Sequence, residues 1–529
     1  MEYGTVIMGS KEAVVSPHYL ASIVGMKVLM NGGNALDAAI AMNATLCVVY
    51  PHMCGIGGDL FILIYLANSG KLIGLNSSGR APFKASIEFF EKNGIFRIPS
   101  RGILSVTVPG VVDGWSIALE KYGSMDLKTL LKPAIDYAEK GFPITARLSN
   151  WIKKLSDELL KYPTTREVFL KNGLPKPGDI LVQKDLAKTL KKIGENGRDV
   201  FYEGEIAKLI SDFSIKNGGL IELDDLKKHN SEWVTPIETN YRNFKVYELP
   251  PNTQGVITLL ALNILEGYDL PSFGFQKPNS IHAQIEAMKL ALIDREKYIS
   301  DPKFVKIPIK KLLSKEYAKE KMKLIDLNKA NINLLNKAHK KDDTVYLAAI
   351  DKEGNAVSLI QSLAYAFGCG LIVENTGILL NNRAVYFSLD KNHVNKIEPG
   401  KRTMHTLIPA MVFKEDEPFM IFGTMGGDAQ PQFHIQLISN VIDFKKGIKE
   451  SLEAPRWRIM SYHTDNFISI EKHMPNKTVE KLKEKGHKVQ LVESWNEVMG
   501  HAHKIIINKE KKVLYAANDP RSDGLAIAC

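Results

Sequence analysis

Cysteine is scarce. Four in 529 residues (Cys47, Cys54, Cys369 and Cys529) show neither a Cys-x-x-Cys pair nor a framework spacing. That argues against structural disulfides and zinc, and fits a reducing compartment. The start, Met1-Glu2-Tyr3-Gly4, has no basic stretch followed by an apolar one, so no secretion signal is expected. No stretch reaches the roughly 18 apolar residues of a membrane span. These absences together predict a cytoplasmic protein that does not engage a membrane. The loop with Gly55, Gly57 and Gly58 lacks the Lys-Ser/Thr pair and the following helix of a phosphate-binding loop, which excludes a nucleotide site there. The formal charge is +10. Its lysines are spread over helical stretches such as 310–323 with no interleaved aromatic residues, which reads as a solvated surface and not a nucleic-acid site. Repeats and low-complexity segments are missing too.

What remains is an ordinary globular composition, 45% hydrophobic and 24% charged. Ser16-Pro17 reads as a helix start, with Ser16 as N-cap, and Gly32-Gly33 as its stop. An Ala-rich helix over 34–48 follows, then strands over 60–66 and 71–76. Residues 110–230 read as mostly helical, and further helices are expected over 256–266 and 280–299. From 344 onward strands dominate: 344–350, 356–363, 371–373, 377–380, 408–413 and 418–422. Helices over 432–444 and 478–485 and strands over 504–507 and 513–517 close the chain. Strands and helices in both halves suggest two sheets between helix layers.

The stretch Asp342-Asp343-Thr344-Val345-Tyr346-Leu347-Ala348-Ala349-Ile350-Asp351 organises the rest. A basic tract (Lys337, His339, Lys340, Lys341) leads into it, and a Lys352-Glu353-Gly354-Asn355 turn joins it to a second apolar run. This predicts a β-hairpin that returns Ser362 beside Thr344. A threonine opening a strand is in most cases only a β-former. If the bond before Thr344 is cut, however, one residue carries both a hydroxyl nucleophile and an α-amine base titrating near 8. The segment Gly423-Thr424-Met425-Gly426-Gly427 follows a strand, and two adjacent glycine N–H groups can meet a developing oxyanion; an ordinary glycine turn is the plainer alternative.

The hairpin, with Phe367-Gly368-Cys369-Gly370, Gly377-Ile378-Leu379-Leu380-Asn381-Asn382, Gly32-Gly33-Asn34-Ala35-Leu36-Asp37-Ala38-Ala39 near the start and Asp519-Pro520-Arg521-Ser522 near the end, resembles the gamma-glutamyltranspeptidase family over nearly the whole chain. The resemblance implies an α+β protein, an αββα four-layer sandwich of the N-terminal-nucleophile hydrolase type. It implies self-cleavage between Asp343 and Thr344 into a large segment, 1–343, and a small catalytic segment, 344–529, intertwined in one fold. A dimer of heterodimers is one assembly it allows. Thr344 becomes the nucleophile, Ser362 the second hydroxyl of the site, and Gly426 and Gly427 the oxyanion donors. Arg80, in Ser78-Gly79-Arg80-Ala81-Pro82, becomes the clasp for the substrate's α-carboxylate, a task its forked guanidinium suits. No metal or organic cofactor is implied.

The departures from the family pattern bear on substrate. Thr-x-His after the cut is Thr344-Val345-Tyr346, and an Asn has become Ala364. A Gln or Glu has become Arg383, the Asp that holds the substrate ammonium has become Tyr386, and a Ser-Ser pair has become His405-Thr406. A guanidinium repels an ammonium and attracts a further carboxylate. The expectation is a γ-glutamyltransferase or hydrolase acting on glutathione-like amides. An acylase for glutaryl-type amides without the α-amino group is the alternative within the enzyme class. An uncut, non-catalytic binder of acyl amino acids is the alternative outside it.

Overall fold

The computed structural model describes residues 6–331, 343–462 and 465–529. The basic tract before the hairpin and the first residues of the chain lie outside them, as does the Asp343 side chain.

Two seven-stranded sheets, antiparallel throughout, dominate the molecule. One runs in the order Leu525–Ala528, Ala13–Ser16, Asp343–Ile350, Ala356–Ala364, Asp59–Leu66, Lys71–Ser77, Glu232–Val234. The other runs Ile7–Gly9, Val513–Ala517, Ala502–Asn508, Glu417–Thr424, Ala410–Lys414, Phe244–Glu248, Ile237–Tyr241. Each sheet therefore takes strands from both sides of the Asp343–Thr344 bond.

The alternation of side chains along a strand explains how the layers are glued. On Asp343–Ile350, Val345, Leu347 and Ala349 join a cluster with Ala39, Met42 and Leu46 of the helix Ala35–Val49. Tyr346, Ala348 and Ile350 point the other way and meet Met411, Ile421 and Ile505 of the second sheet. That sheet's far face, with Val412, Met420 and Phe422, packs on Leu259, Met288 and Ile438 of the helices Gly255–Leu265, Pro278–Tyr298 and Gln430–Ile442. Each large aliphatic side chain buried this way contributes about 1.5–3 kcal/mol.

The helix Ala35–Val49 begins in a capping box between Asn34 and Asp37. Its first free N–H, on Ala35, is also met by Asp351 Oδ2 at 3.0 Å. The Asp351 carboxylate holds the hairpin turn too, accepting Asn355 N–H at 2.9 Å. One acid thus ties the turn to a helix start more than 300 positions away in sequence.

The expected helix start at Ser16 is corrected. Ala13–Ser16 is a strand, paired with Asp343–Ile350 and Leu525–Ala528. The helix is Tyr19–Met30, and His18 is its N-cap, Nδ1 accepting Leu20 N–H. Pairing on both edges outweighs the local Ser-Pro signal, and Ser16 Oγ bonds the His18 carbonyl and Ser22 instead. A three-stranded sheet, Trp457–Tyr462, Asp465–Glu471 and Val489–Val492, was not legible in the sequence.

Candidate active site

Thr344 stands at the open end of the hairpin. Asp343 pairs with Ala364 and Val345 with Gln361, so Thr344 is opposed by two residues, Ser362 and Leu363, in a β-bulge. Thr344 shares strand parity with Tyr346, Ala348 and Ile350, whose side chains enter the space between the sheets. It has no exposed surface, and its Oγ1 has no hydrogen-bond partner among the described residues. A buried hydroxyl left unmet costs about 1–3 kcal/mol, and such an atom in a native core calls for a reason. Ser362 Oγ accepts the Ala364 N–H at 2.7 Å. Ala364 sits at φ 79°, a left-handed conformation that costs an alanine roughly 1–2 kcal/mol.

On its other edge Ser362 pairs with Asp59, the first residue of its strand. Asp59 is buried and connects four distant parts of the chain. Oδ1 accepts the Gly79 N–H at 2.7 Å, and Oδ2 accepts Arg383 Nε at 3.2 Å and His405 Nε2 at 3.1 Å. His405 Nδ1 accepts the Leu407 N–H at 3.3 Å, which leaves the ring proton on Nε2. Burial, reinforced by the Arg383 charge, lowers the His405 pKa to about 4, so the ring is neutral at pH 7. Burial alone would raise the Asp59 carboxyl. The His405 hydrogen bond, the Arg383 charge and the Gly79 N–H outweigh it and keep the acid ionised.

Arg383 is wholly buried and held at several points. Beyond Asp59, its Nη1 donates to Thr406 Oγ1 at 3.1 Å, and its guanidinium lies 5.1 Å from the centre of the Tyr386 ring. Its Nη2 has no hydrogen-bond partner among the described residues. Ser362, Arg383, Tyr386, His405 and Thr406 are thereby gathered about one carboxylate.

Gly426 and Gly427 lie between the strand Glu417–Thr424 and the helix Gln430–Ile442, at φ 137° and 53°. A side chain at Gly426 would strike the Phe433 ring. Glycine is what allows this turn to deliver its N–H groups at the positive end of a helix. The Gln254 side-chain amide joins the segment to the cluster above, donating to both the Thr406 and Gly427 carbonyls at 3.0 Å. Arg295 bonds Gln254 Oε1 at 3.0 Å and Asp428 at 2.8 Å and so holds that bridge.

Arg80 faces a neighbouring group of charges. Nη2 meets Glu232 at 2.7 Å, and Nη1 lies 3.7 Å from Asp301. Arg402, mostly buried, shares Glu232 at 2.9 Å. The Ser78-Gly79 turn connects this group to the Asp59 cluster, since Arg402 Nε bonds the Ser78 carbonyl.

Asp59, Gln254, His501 and His503 escaped the sequence reading. Asp59 had a signal: a lone acid directly after Gly57-Gly58, opening an otherwise apolar strand. The histidines had none. His503 pairs with Gly423, whose missing side chain makes room for the Tyr346 ring. His501 and His503 therefore face the same inter-sheet space as Thr344 and Tyr346. Their ring nitrogens have no partners among the described residues, and burial lowers the His503 pKa to about 4 and that of His501 well below its ordinary value.

The gamma-glutamyltranspeptidase family model matches residues 21–529. The glutathione hydrolase-like YwrD proenzyme of Bacillus subtilis is 42% identical over 98% of this chain and 99% of its own length. The oxamate amidohydrolase proenzyme of Klebsiella pneumoniae is 34% identical, over 97% of each chain. The crystal structure of cephalosporin acylase from Bacillus halodurans superposes with a TM-score of 0.94 at 38% identity, covering 100% of this chain and 98% of that one. The chain belongs to the gamma-glutamyltranspeptidase family, and is thus an amide-cleaving enzyme of the N-terminal threonine hydrolase class. Among the described residues no helix is long and apolar enough to cross a membrane.

Proposed function

We propose that the chain is a self-processing amidohydrolase whose substrate acyl group carries a carboxylate and no α-ammonium. The observation that carries the reaction is Thr344: fully buried, Oγ1 unpartnered, at a bulge beside Ser362 and at one end of the inter-sheet space. Its hydroxyl first attacks the Asp343 carbonyl. The peptide C–N bond then breaks, which frees the Thr344 α-amine and leaves Asp343 as an ester on Oγ1, and water hydrolyses that ester to release the Asp343 carboxylate and restore the hydroxyl. In turnover this amine takes the hydroxyl proton as Oγ1 attacks the substrate carbonyl, then passes it to the departing amine. Gly426 and Gly427 N–H groups receive the oxyanion at the start of the helix Gln430–Ile442. Water, or an acceptor amine, releases the acyl group from Thr344. The helix-covered pair of sheets supports the reading as an αββα sandwich of the N-terminal-nucleophile hydrolase type.

The substrate reading rests on Arg383. Two of its three nitrogens are fixed by Asp59 and Thr406, and the third remains to take a carboxylate. A γ-glutamyl substrate is the second reading, favoured by the family and by the name of the Bacillus subtilis relative. It needs an acid for the ammonium. Asp59 is already engaged by Arg383, His405 and Gly79, and position 386 is Tyr. An ion-assisted hydrogen bond is worth roughly 1.5–3 kcal/mol, so its absence lowers kcat/KM by about ten- to a hundredfold. The test compares kcat/KM on glutaryl- and γ-glutamyl-anilides for wild type and for Arg383→Gln with Tyr386→Asp. Wild type is expected to favour the glutaryl compound, and the double variant to shift back towards γ-glutamyl. A wild-type preference for γ-glutamyl above about a hundredfold would overturn the substrate reading and leave the nucleophile standing.

A further inference from the structure

Far from Thr344 in sequence, His282, Glu286 and His487 bring one ligand atom each to within 4.8 Å of one another, all buried. His282 and Glu286 stand one turn apart on the helix Pro278–Tyr298, and so on one face of it. His487 arrives from the loop after the helix Asn476–Glu484. We propose that these three residues form a binding site for a divalent transition-metal cation of the zinc type.

The donor set is the first argument. Two imidazoles and one carboxylate suit zinc-type ions, and a fourth position is left for water. Orientation is the second. His282 Nε2 lies 2.8 Å from the Asp326 carbonyl, which can only accept, so the proton sits on Nε2 and the Nδ1 lone pair points inward. That lone pair meets His487 Nε2 at 2.7 Å. Glu286 is oriented in the same way: Oε2 accepts the Asn331 N–H at 3.2 Å, leaving Oε1 turned inward, 3.9 Å from His487 Nε2. Two nitrogens on a tetrahedral ion at about 2.0–2.1 Å stand roughly 3.3 Å apart, so His487 has to recede only by about half an ångström. Its ring proton then moves to Nδ1, which has no hydrogen-bond partner among the described residues.

One cation already touches this group. Lys289 Nζ bonds Glu286 Oε1 at 2.7 Å and the Asn331 carbonyl at 3.0 Å. A divalent ion has to displace this ammonium from Oε1, and the Asn331 carbonyl then retains it. Lys485, on the far side, is occupied by the Leu327 carbonyl. The position gives the site a consequence. His282 and Glu286 precede the Asp343–Thr344 bond and His487 follows it, so a bound ion ties the two segments together and secures residues 326–331 just ahead of the processing region. Only this stapling role rests on the cleavage proposed above.

The test uses untagged full-length protein as isolated, stripped with chelator and titrated with Co2+ and then Zn2+. One Co2+ per chain should give the visible bands of a four-coordinate site, and Zn2+ should displace it and raise the unfolding midpoint. His487→Gln should abolish the bands, and Lys289→Met, which removes the competitor, should tighten binding at least tenfold. The uncut Thr344→Ala chain should bind as wild type does, which separates this site from the fate of the catalytic reading. Absence of the bands in wild type, or bands unchanged in His487→Gln, overturns the proposal. So does binding by Lys289→Met alone.

Discussion

At the hairpin-turn end of the space between the sheets, Ile350, Tyr65, Met411 and Phe413 meet in a purely apolar contact. At the other end, one strand length away, the same space receives Thr344, His501 and His503, with polar atoms that no described residue satisfies. The first end needs only volume and alternation, and any well-filled set of aliphatic and aromatic side chains would serve. The second end runs against stability, since each unmet buried group costs about 1–3 kcal/mol. It persists because the apolar end and the two helix-covered faces hold the strands in place whatever the polar end costs. The same strand, Asp343–Ile350, thus works as a core element along most of its length and as a reactive terminus at its beginning.

The sharpest way to break this comparison is at Thr344. Thr344→Ala should remain a single chain of 59.0 kDa, whereas wild type should yield a piece beginning at Thr344 by mass spectrometry. Activity should fall by about 10³-fold or more, because both nucleophile and base are lost. Cleavage at the same bond in the variant would remove Thr344 from its role, and an uncut wild type would favour a binder over an enzyme. Next in size is Gly427→Ala. The added Cβ at φ 53° displaces an N–H that the oxyanion needs, and kcat should drop by roughly 10²–10³-fold in a normally folded protein. An unchanged kcat in a correctly cleaved variant would move the oxyanion site elsewhere.

The apolar end should answer differently. Met411→Ala, at a fully buried inter-sheet position, should cost about 2–5 kcal/mol in chemical denaturation while kcat/KM stays within about twofold. A large loss of activity at unchanged stability would mean that the two ends are not separable.

The smallest effect concerns pH. His405 has a folded-state pKa of about 4 against an ordinary 6.5, so between these values the unfolded chain binds the extra proton. Its contribution to stability is complete above pH 6.5 and declines as the pH falls towards 4. His18 and His503, lowered to about 3 and about 4, act in the same direction. Wild type should therefore lose melting temperature on acidification through this window, and His405→Gln should lose less of it. Parallel pH profiles for the two proteins would show that His405 is not held neutral.

The sequence by itself determined the hairpin, its turn, the Ala-rich helix that follows Gly32-Gly33, and the alternation that directs Val345 one way and Tyr346 the other. These follow from side-chain period and turn chemistry, which are local. It also determined the family, because the motifs survive in order along nearly the whole chain. Tertiary structure alone decided that Ser16 pairs in a strand instead of capping a helix, since the pairing partners lie hundreds of residues away. It alone decided that Arg383, read as a free charge awaiting substrate, is two-thirds committed to Asp59 and Thr406. A residue's charge is written in its name. The partner that neutralises it is set by which distant backbone comes within about 3 Å, and no local pattern records that.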